Sequence, residues 1–142
     1  MRPEFLADRN LGKRVVQVLR AAGESVHTLA DVFGEGNAQG VEDESWISYA
    51  GSRNWVALTK DRRIRHVTRE REAVREHDVM LFALANANLG FADMAGAFLL
   101  AMPHIHGICA AKPGGSIWVV QRNGAVERIW PQPREWDLRA WP

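Results

Sequence analysis

A single cysteine, Cys109, stands among the 142 residues. No internal disulfide can form, so the fold must rest on packing, which suits a reducing compartment. Net charge is nearly absent as well: 18 Lys and Arg against 17 Asp and Glu leave a formal +1. That excludes a polybasic chain that binds nucleic acid by bulk charge, and any such role has to come from a local cluster. The N-terminal MRPEFLADRN has no apolar core of signal-peptide length, since Asp8 interrupts it early, and no run is read as approaching a membrane span. No internal repeat or inter-domain linker is visible. These absences predict one cytoplasmic domain over residues 1–142, with no membrane partner. A hydrophobic share of 46% and a charged share of 25% give it enough apolar residues for a core.

What is present alternates. EFLA reads as a short strand and ends on Asp8. In NLGKRVVQVLRAAG, Leu11, Val15, Leu19 and Ala22 keep helical spacing and Gly23 is a natural stop. ESVHTLADVF is predicted as a second strand and GEGNAQG as a glycine-rich loop. DESWISYAG is predicted as a helix capped by Asp43, with Trp46, Ile47 and Ala50 on one face and Gly51 closing it. WVALT is a third strand, TREREAVREH a charged helix that Thr68 can cap, and VMLFAL a strand buried on both faces. FADMAGAFLLAM sets Phe91, Met94, Ala95, Phe98, Leu99 and Met102 on one helical stripe, which Pro103 bends or ends. SIWVVQRNGAVERIW holds two strand-like runs around Asn123-Gly124, a type I′ hairpin signal. The tail 130–142 has little pattern.

This order predicts an α/β protein: a parallel central sheet with helices on both faces, plus a C-terminal β-hairpin. In such sheets, ligands sit at the carboxyl ends of the strands. Asp8 follows the first strand and Asp61 the third, and Asp43 opens a helix that starts at the same edge. Asp78 precedes its strand and falls at the opposite edge. Three carboxylates at one edge repel each other unless a cation joins them. Mg²⁺ or Mn²⁺ takes oxygen ligands and suits phosphodiester cleavage by an activated water. Lys60, Arg62, Arg63 and Arg65 crowd around Asp61, with Arg9 and Asn10 beside Asp8, and these are candidates to hold a substrate's phosphates. Each acid also has a plain structural reading: Asp8 and Asp43 as helix caps, Asp61 as a turn residue. Charge runs are usually just solvated surface.

The stretches FLADRNLGKRVVQVLRAAG, DESWISYAG and WVALTKDRRIRH resemble the compact PIN-like proteins grouped with VapC-type toxins. The resemblance runs from Phe5 to about Met102. Its linked pattern is D-x-x-W-I-x-x-A, then W-V-x-L-T-K-D-x-R-I, with Asp61 eighteen residues after Asp43. It implies a three-layer α/β/α sandwich, a Mg²⁺-dependent endoribonuclease acting on RNA, and a cognate antitoxin partner. Asp8 matches the strand-one acid, Asp43 the helix acid and Asp61 the acid of the T-x-D motif. A further acid found in larger PIN domains has no recognisable counterpart; Asp31, Glu35, Glu42 and Glu44 are candidates.

Two other functions compete. A receiver-type phosphoacceptor has an acid after strand one, an aspartate after strand three and a Lys-Pro near strand five, which Asp8, Asp61 and Lys112-Pro113 imitate. It also wants paired acids after strand one, where this chain has Asp8-Arg9. A PIN-like module without catalysis is the other. HIHGIC is a poor zinc site, because His104 and His106 do not share a helical face. KPGGS lacks the phosphate-loop pattern. Asn86 and Asn88 either line the cleft or make a turn. Of six tryptophans, Trp46 and Trp55 are predicted core, while Trp130, Trp136 and Trp141 near the tail are read as buried or in a homodimer contact ahead of an antitoxin contact.

Overall fold

The structure, a computed structural model, describes residues 2–60 and 67–131. Its elements run β1 (Glu4–Ala7), a 3-10 turn (Arg9–Leu11), α1 (Lys13–Ala21), β2 (Ser25–Thr28), α2 (Leu29–Phe33), α3 (Glu35–Ala38) and α4 (Asp43–Ser52). They continue β3 (Val56–Thr59), α5 (Thr68–Glu76), β4 (Met80–Leu84), α6 (Phe91–Ala111), β5 (Ser116–Val120) and β6 (Val126–Trp130). Six strands form one sheet in the order β2-β1-β3-β4-β5-β6. The pairs from β2 through β5 are parallel, and β6 is antiparallel to β5.

Strand alternation divides the core in two. Phe5, Ala7, Val56, Leu58, Phe82 and Leu84 face α1 and α6. Leu6, Ala57, Leu81 and Ala83 face α4, α5 and the short helices before them. The three-layer α/β/α sandwich therefore follows from the central strands being apolar on both faces. Trp46, Phe82 and Phe98 are fully buried. Each stabilises the fold by roughly 2–3 kcal/mol through removal of apolar surface from water.

Several local expectations are corrected. The second strand stops at Thr28, because Thr28 and Asp31 form a capping box that starts α2. Part of the glycine-rich loop winds into α3. The cap of α4 is Glu42, and Asp43 is its first helical residue. Gly51 lies inside that helix, where any Cβ would collide with His77. Thr68 likewise begins α5 after Val67, which holds the N-cap position without a side-chain cap bond. Ala22 is exposed and Val16 takes its place on the buried face of α1.

The stripe of α6 is rotated from the predicted one. Ala97, Ala101 and Ile105 join Met94, Ala95, Phe98 and Met102 inside, while Phe91 and Leu99 are about one-third exposed (36% and 37%). Arg14 covers the Phe91 ring at 3.7 Å. Pro103 neither ends nor interrupts the helix. It lies on the exposed side, as does Leu99, whose carbonyl it leaves without a helical donor. At 21 residues α6 is also long and apolar enough to cross a membrane, contrary to the sequence reading. His104, His106 and Pro103 obscure that run, and here its apolar stripe packs on the sheet and α1.

The β5–β6 turn is not type I′. Gly124 N–H donates to Gln121 O at 2.9 Å, and Gly124 carries φ +87° while Asn123 has no positive φ. This is a three-residue loop with a glycine bulge. Gly124 is needed twice over, since a Cβ there would also strike Leu100 of α6. Trp130 is half-buried, with Arg71 and Arg75 over its ring at 5.9 and 5.3 Å. Trp136 and Trp141 lie outside the described residues.

Candidate active site

The carboxyl edge of the sheet collects the acids because of strand order. β1 lies between β2 and β3, so the chain leaves its two central strands in opposite directions and opens a crevice at their ends. Asp8 follows β1 at the head of the 3-10 turn, yet its side chain makes no cap hydrogen bond. Instead its backbone N–H donates to Leu58 O at 2.9 Å, and its Oδ2 accepts from Thr59 Oγ1 at 2.9 Å. The strand pair β1–β3 thus holds this carboxylate from both backbone and side chain.

Asp8 is 4% exposed, and its other oxygen, Oδ1, accepts no hydrogen bond. Among the described residues, Arg9 brings a cation to 4.0 Å from it. Burial pushes the Asp8 pKa above the ordinary carboxylate value, the Thr59 hydrogen bond opposes this, and the negative charge of Asp43 adds to the rise. Asp8 and Asp43 are therefore within electrostatic reach of each other. Asp43 itself sits at the start of α4, where its Oδ1 accepts from Trp46 Nε1 at 2.9 Å. That bond spans one helical turn and leaves the second oxygen for another partner.

The third predicted acid, Asp61, lies outside the described residues, as do Arg62, Arg63 and Arg65. Among the described residues, no three acid, histidine or cysteine side chains form a group able to hold a metal. Lys60 follows Thr59 and is half-buried. Arg9 donates from Nη1 to Val41 O at 3.1 Å, which ties the end of β1 to the loop before α4. Asn10 Oδ1 lies 3.4 Å from Thr59 Oγ1, at the outer side of the same contact.

The sequence missed Glu70. It opens α5, whose N-terminus reaches the same edge, and it is 7% exposed with Oε2 lacking a hydrogen bond. Burial raises its pKa, and the charges of Asp43 and Glu44 raise it further, against its own backbone N–H and Arg69. A cleft of about 290 Å³ lies between the Gln39–Glu44 segment and the start of α5, with Arg9, Asp43, Glu44, Arg69 and Glu70 in its walls. The clue was present: Glu70, Ala73 and Val74 keep the i, i+3, i+4 spacing of an inward stripe, but the charges around them hide it. The other candidates for an additional acid have ordinary roles. Asp31 caps α2 and pairs with Arg20 at 2.9 Å, Glu35 is exposed beside Lys13, and Glu42 takes the N-cap position of α4 without a side-chain cap bond. Glu42 and Glu44 both border the cleft.

Other motifs fall away from this edge. Lys112 adopts a left-handed conformation where α6 ends, before β5, so the receiver-like lysine stands at the end of the sheet opposite Asp8. Asp78 accepts from Gly115 N–H at 2.9 Å at that same far edge. His106 pairs with Glu24 at 2.8 Å, and burial pushes the Cys109 thiol up to about 11. Asn86 Oδ1 accepts from Asn88 N–H at 2.9 Å, the turn reading of that pair.

With a parallel sheet, a switch-point crevice and paired acids in place, the comparisons define the class. The model of the family described as "PIN like domain" matches residues 3–86, and the chain belongs to that family. The chain is also similar to the curated protein "Putative ribonuclease VapC45" of Mycobacterium tuberculosis. The two are 32% identical over 123 residues, 86% of this chain and 88% of the relative. No solved structure matches it.

Proposed function

We propose that this protein is a metal-dependent endoribonuclease and the toxin of a toxin–antitoxin pair, acting in the cytoplasm. The observation that carries the reading is Asp8: a buried carboxylate with one oxygen unsatisfied and a second acid close enough to repel it. A fold keeps such a group only where something else neutralises it. A divalent cation fits, because the donors at this edge are carboxylate oxygens, the ligands that hard ions such as Mg²⁺ or Mn²⁺ prefer. Asp8 and Asp43 would hold it, with Asp61 as the third ligand from the sequence pattern. Such an ion, when bound, supplies an acidified water and neutralises charge on the leaving oxygen of a phosphodiester.

The chain's own residues do the rest. Thr59 fixes the rotamer of Asp8 and leaves Oδ1 available. Trp46 does the same for Asp43. Arg9 holds the two acid-bearing segments in register and adds a positive charge to the wall. Lys60, Arg62, Arg63 and Arg65 would grip backbone phosphates, and Asn10 would donate from its amide to the strand. The relative's name supports RNA as substrate, and the type of that relative supports an antitoxin as partner.

The test is direct. Purified protein incubated with single-stranded RNA and Mg²⁺ or Mn²⁺ should cleave it internally, and excess EDTA should stop the reaction. Cleavage that persists in EDTA, or in the Asp8→Asn variant at the unmodified protein's rate, would overturn the proposal.

A further inference from the structure

We propose that a second crevice beside Asp8 is a nucleobase subsite, which takes one unpaired base of the strand whose phosphate lies at the acids; this rests on the nuclease reading above. The crevice occupies about 360 Å³ between α1 and the α2–α3 pair. Sites for small organic molecules span roughly 300–1,000 Å³, so this one suits a single base with its sugar and is too small for a duplex.

Its position ties it to the reacting end of the strand. Asp8 forms part of its wall, and Arg9 and Gln39 border both this crevice and the acidic cleft. A base seated here is therefore attached to a phosphate at or next to Asp8. The lining has the chemistry of a base site. Val16, Leu29 and Ala38 supply buried apolar surface for a base face. Gln39 is exposed at the rim, where its amide offers a donor and an acceptor to a base edge. Lys13, its side chain 82% exposed, stands at the mouth, where it pairs loosely with Glu35 at 3.5 Å and can turn to a flanking phosphate. An apolar side chain of a protein partner would also fit the volume, but the crevice shares Arg9 and Gln39 with the acidic cleft, which is where a strand with its phosphate at the acids would continue.

Fluorescein-labelled RNA heptamers, each with one abasic residue at a different position, test this by anisotropy in EDTA, with cleavage in Mg²⁺ measured in parallel. One abasic position should weaken binding at least roughly fivefold, the low end for loss of one bound base. Ala30→Phe, which fills the half-buried wall of the crevice, and Gln39→Ala should each shrink that penalty and flatten the base preference of cleavage at the same position. Intact binding and cleavage with no abasic penalty at any position would overturn the subsite while leaving the nuclease reading intact. So would an abasic penalty unchanged in both variants, since the base would then be read elsewhere. Absence of RNA binding and of cleavage would overturn both. An Ala30→Phe variant that handles RNA normally but loses a protein partner would assign the crevice to that partner and overturn the base.

Discussion

The two ends of the sheet handle buried charge in opposite ways. At the amino end, Glu24 is buried but fully engaged: Arg2 donates to one oxygen at 3.0 Å and His106 meets the other at 2.8 Å. Asp78, exposed at that end, accepts from the Gly115 backbone, which packs so closely on Val74 and Arg75 that no Cβ would fit. At the carboxyl end, Asp8 and Glu70 are each buried with one oxygen left without a hydrogen bond, and both feel the charge of Asp43. Both ends are made of similar residues in one rigid sheet. The difference teaches that acid content alone does not mark a site. What marks it is charge that the fold has buried and failed to satisfy, because such a group costs stability unless a ligand completes it.

The largest expected effect comes from removing the unsatisfied charge. Asp8→Asn should lower RNA cleavage by more than the roughly 10–100-fold typical of losing an outer-shell partner, and a quenched-flow or gel assay measures it. Its melting temperature in EDTA should stay level or rise, which separates a lost function from a lost fold. Next is the amino end. Glu24→Ala should destabilise the protein by about 2 kcal/mol in urea unfolding, as charge-assisted hydrogen bonds are lost, while the cleavage rate of the folded protein is unchanged. If Glu24→Ala instead reduced cleavage and left stability alone, the contrast between the two ends would fail.

Thr59→Val sharpens the comparison within the site. It keeps shape but removes the donor to Asp8 Oδ2. Cleavage should fall roughly tenfold, in the range for an outer-shell partner, with a stability loss of about 1 kcal/mol. The Asp8 titration, followed by carboxyl NMR in EDTA, should move further upward. The smallest effect is the pH dependence of the metal-free protein. Asp8 and Glu70 have folded pKa values raised above 3.8 and 4.5. The folded state therefore holds their protons more tightly than the unfolded state does. Their contribution is fully favourable below those ordinary values and is lost as pH rises through the folded ones. Metal-free protein should gain stability from these two groups as pH falls through their folded pKa values, and Asp8→Asn with Glu70→Gln should remove that gain. Equal pH profiles for the double variant and the unmodified protein would count against the raised values.

Much of the architecture was legible because it depends on local apolar pattern. The runs VAL before Thr59 and VMLFAL are apolar at every position, which reads as strands covered on both faces, and β3 and β4 are. Where the reading failed, a neighbour decided. Thr28 could have continued a strand, but the Asp31 side chain reaches back to its N–H and starts a helix. Asn123-Gly124 matches a type I′ turn by composition, yet Gly124 must pass against Leu100, and the loop takes a bulge instead. Phe91 was placed in the core by spacing, but it lies at the first turn of α6, partly exposed, with Arg14 over its ring.

The site divides along the same line. Strand order and the position of each acid relative to its strand were enough to bring Asp8 and Asp43 to one edge, because a parallel sheet sends every strand's carboxyl end the same way. The residues between them could not tell which acids would be dry. That depends on Thr59 reaching across from β3, on Arg9 stopping short at 4.0 Å, and on α5 laying Glu70 into the cleft beside Asp43. Burial and the missing hydrogen bond are properties of packing between segments far apart in the chain, so they exist only once the layers have closed.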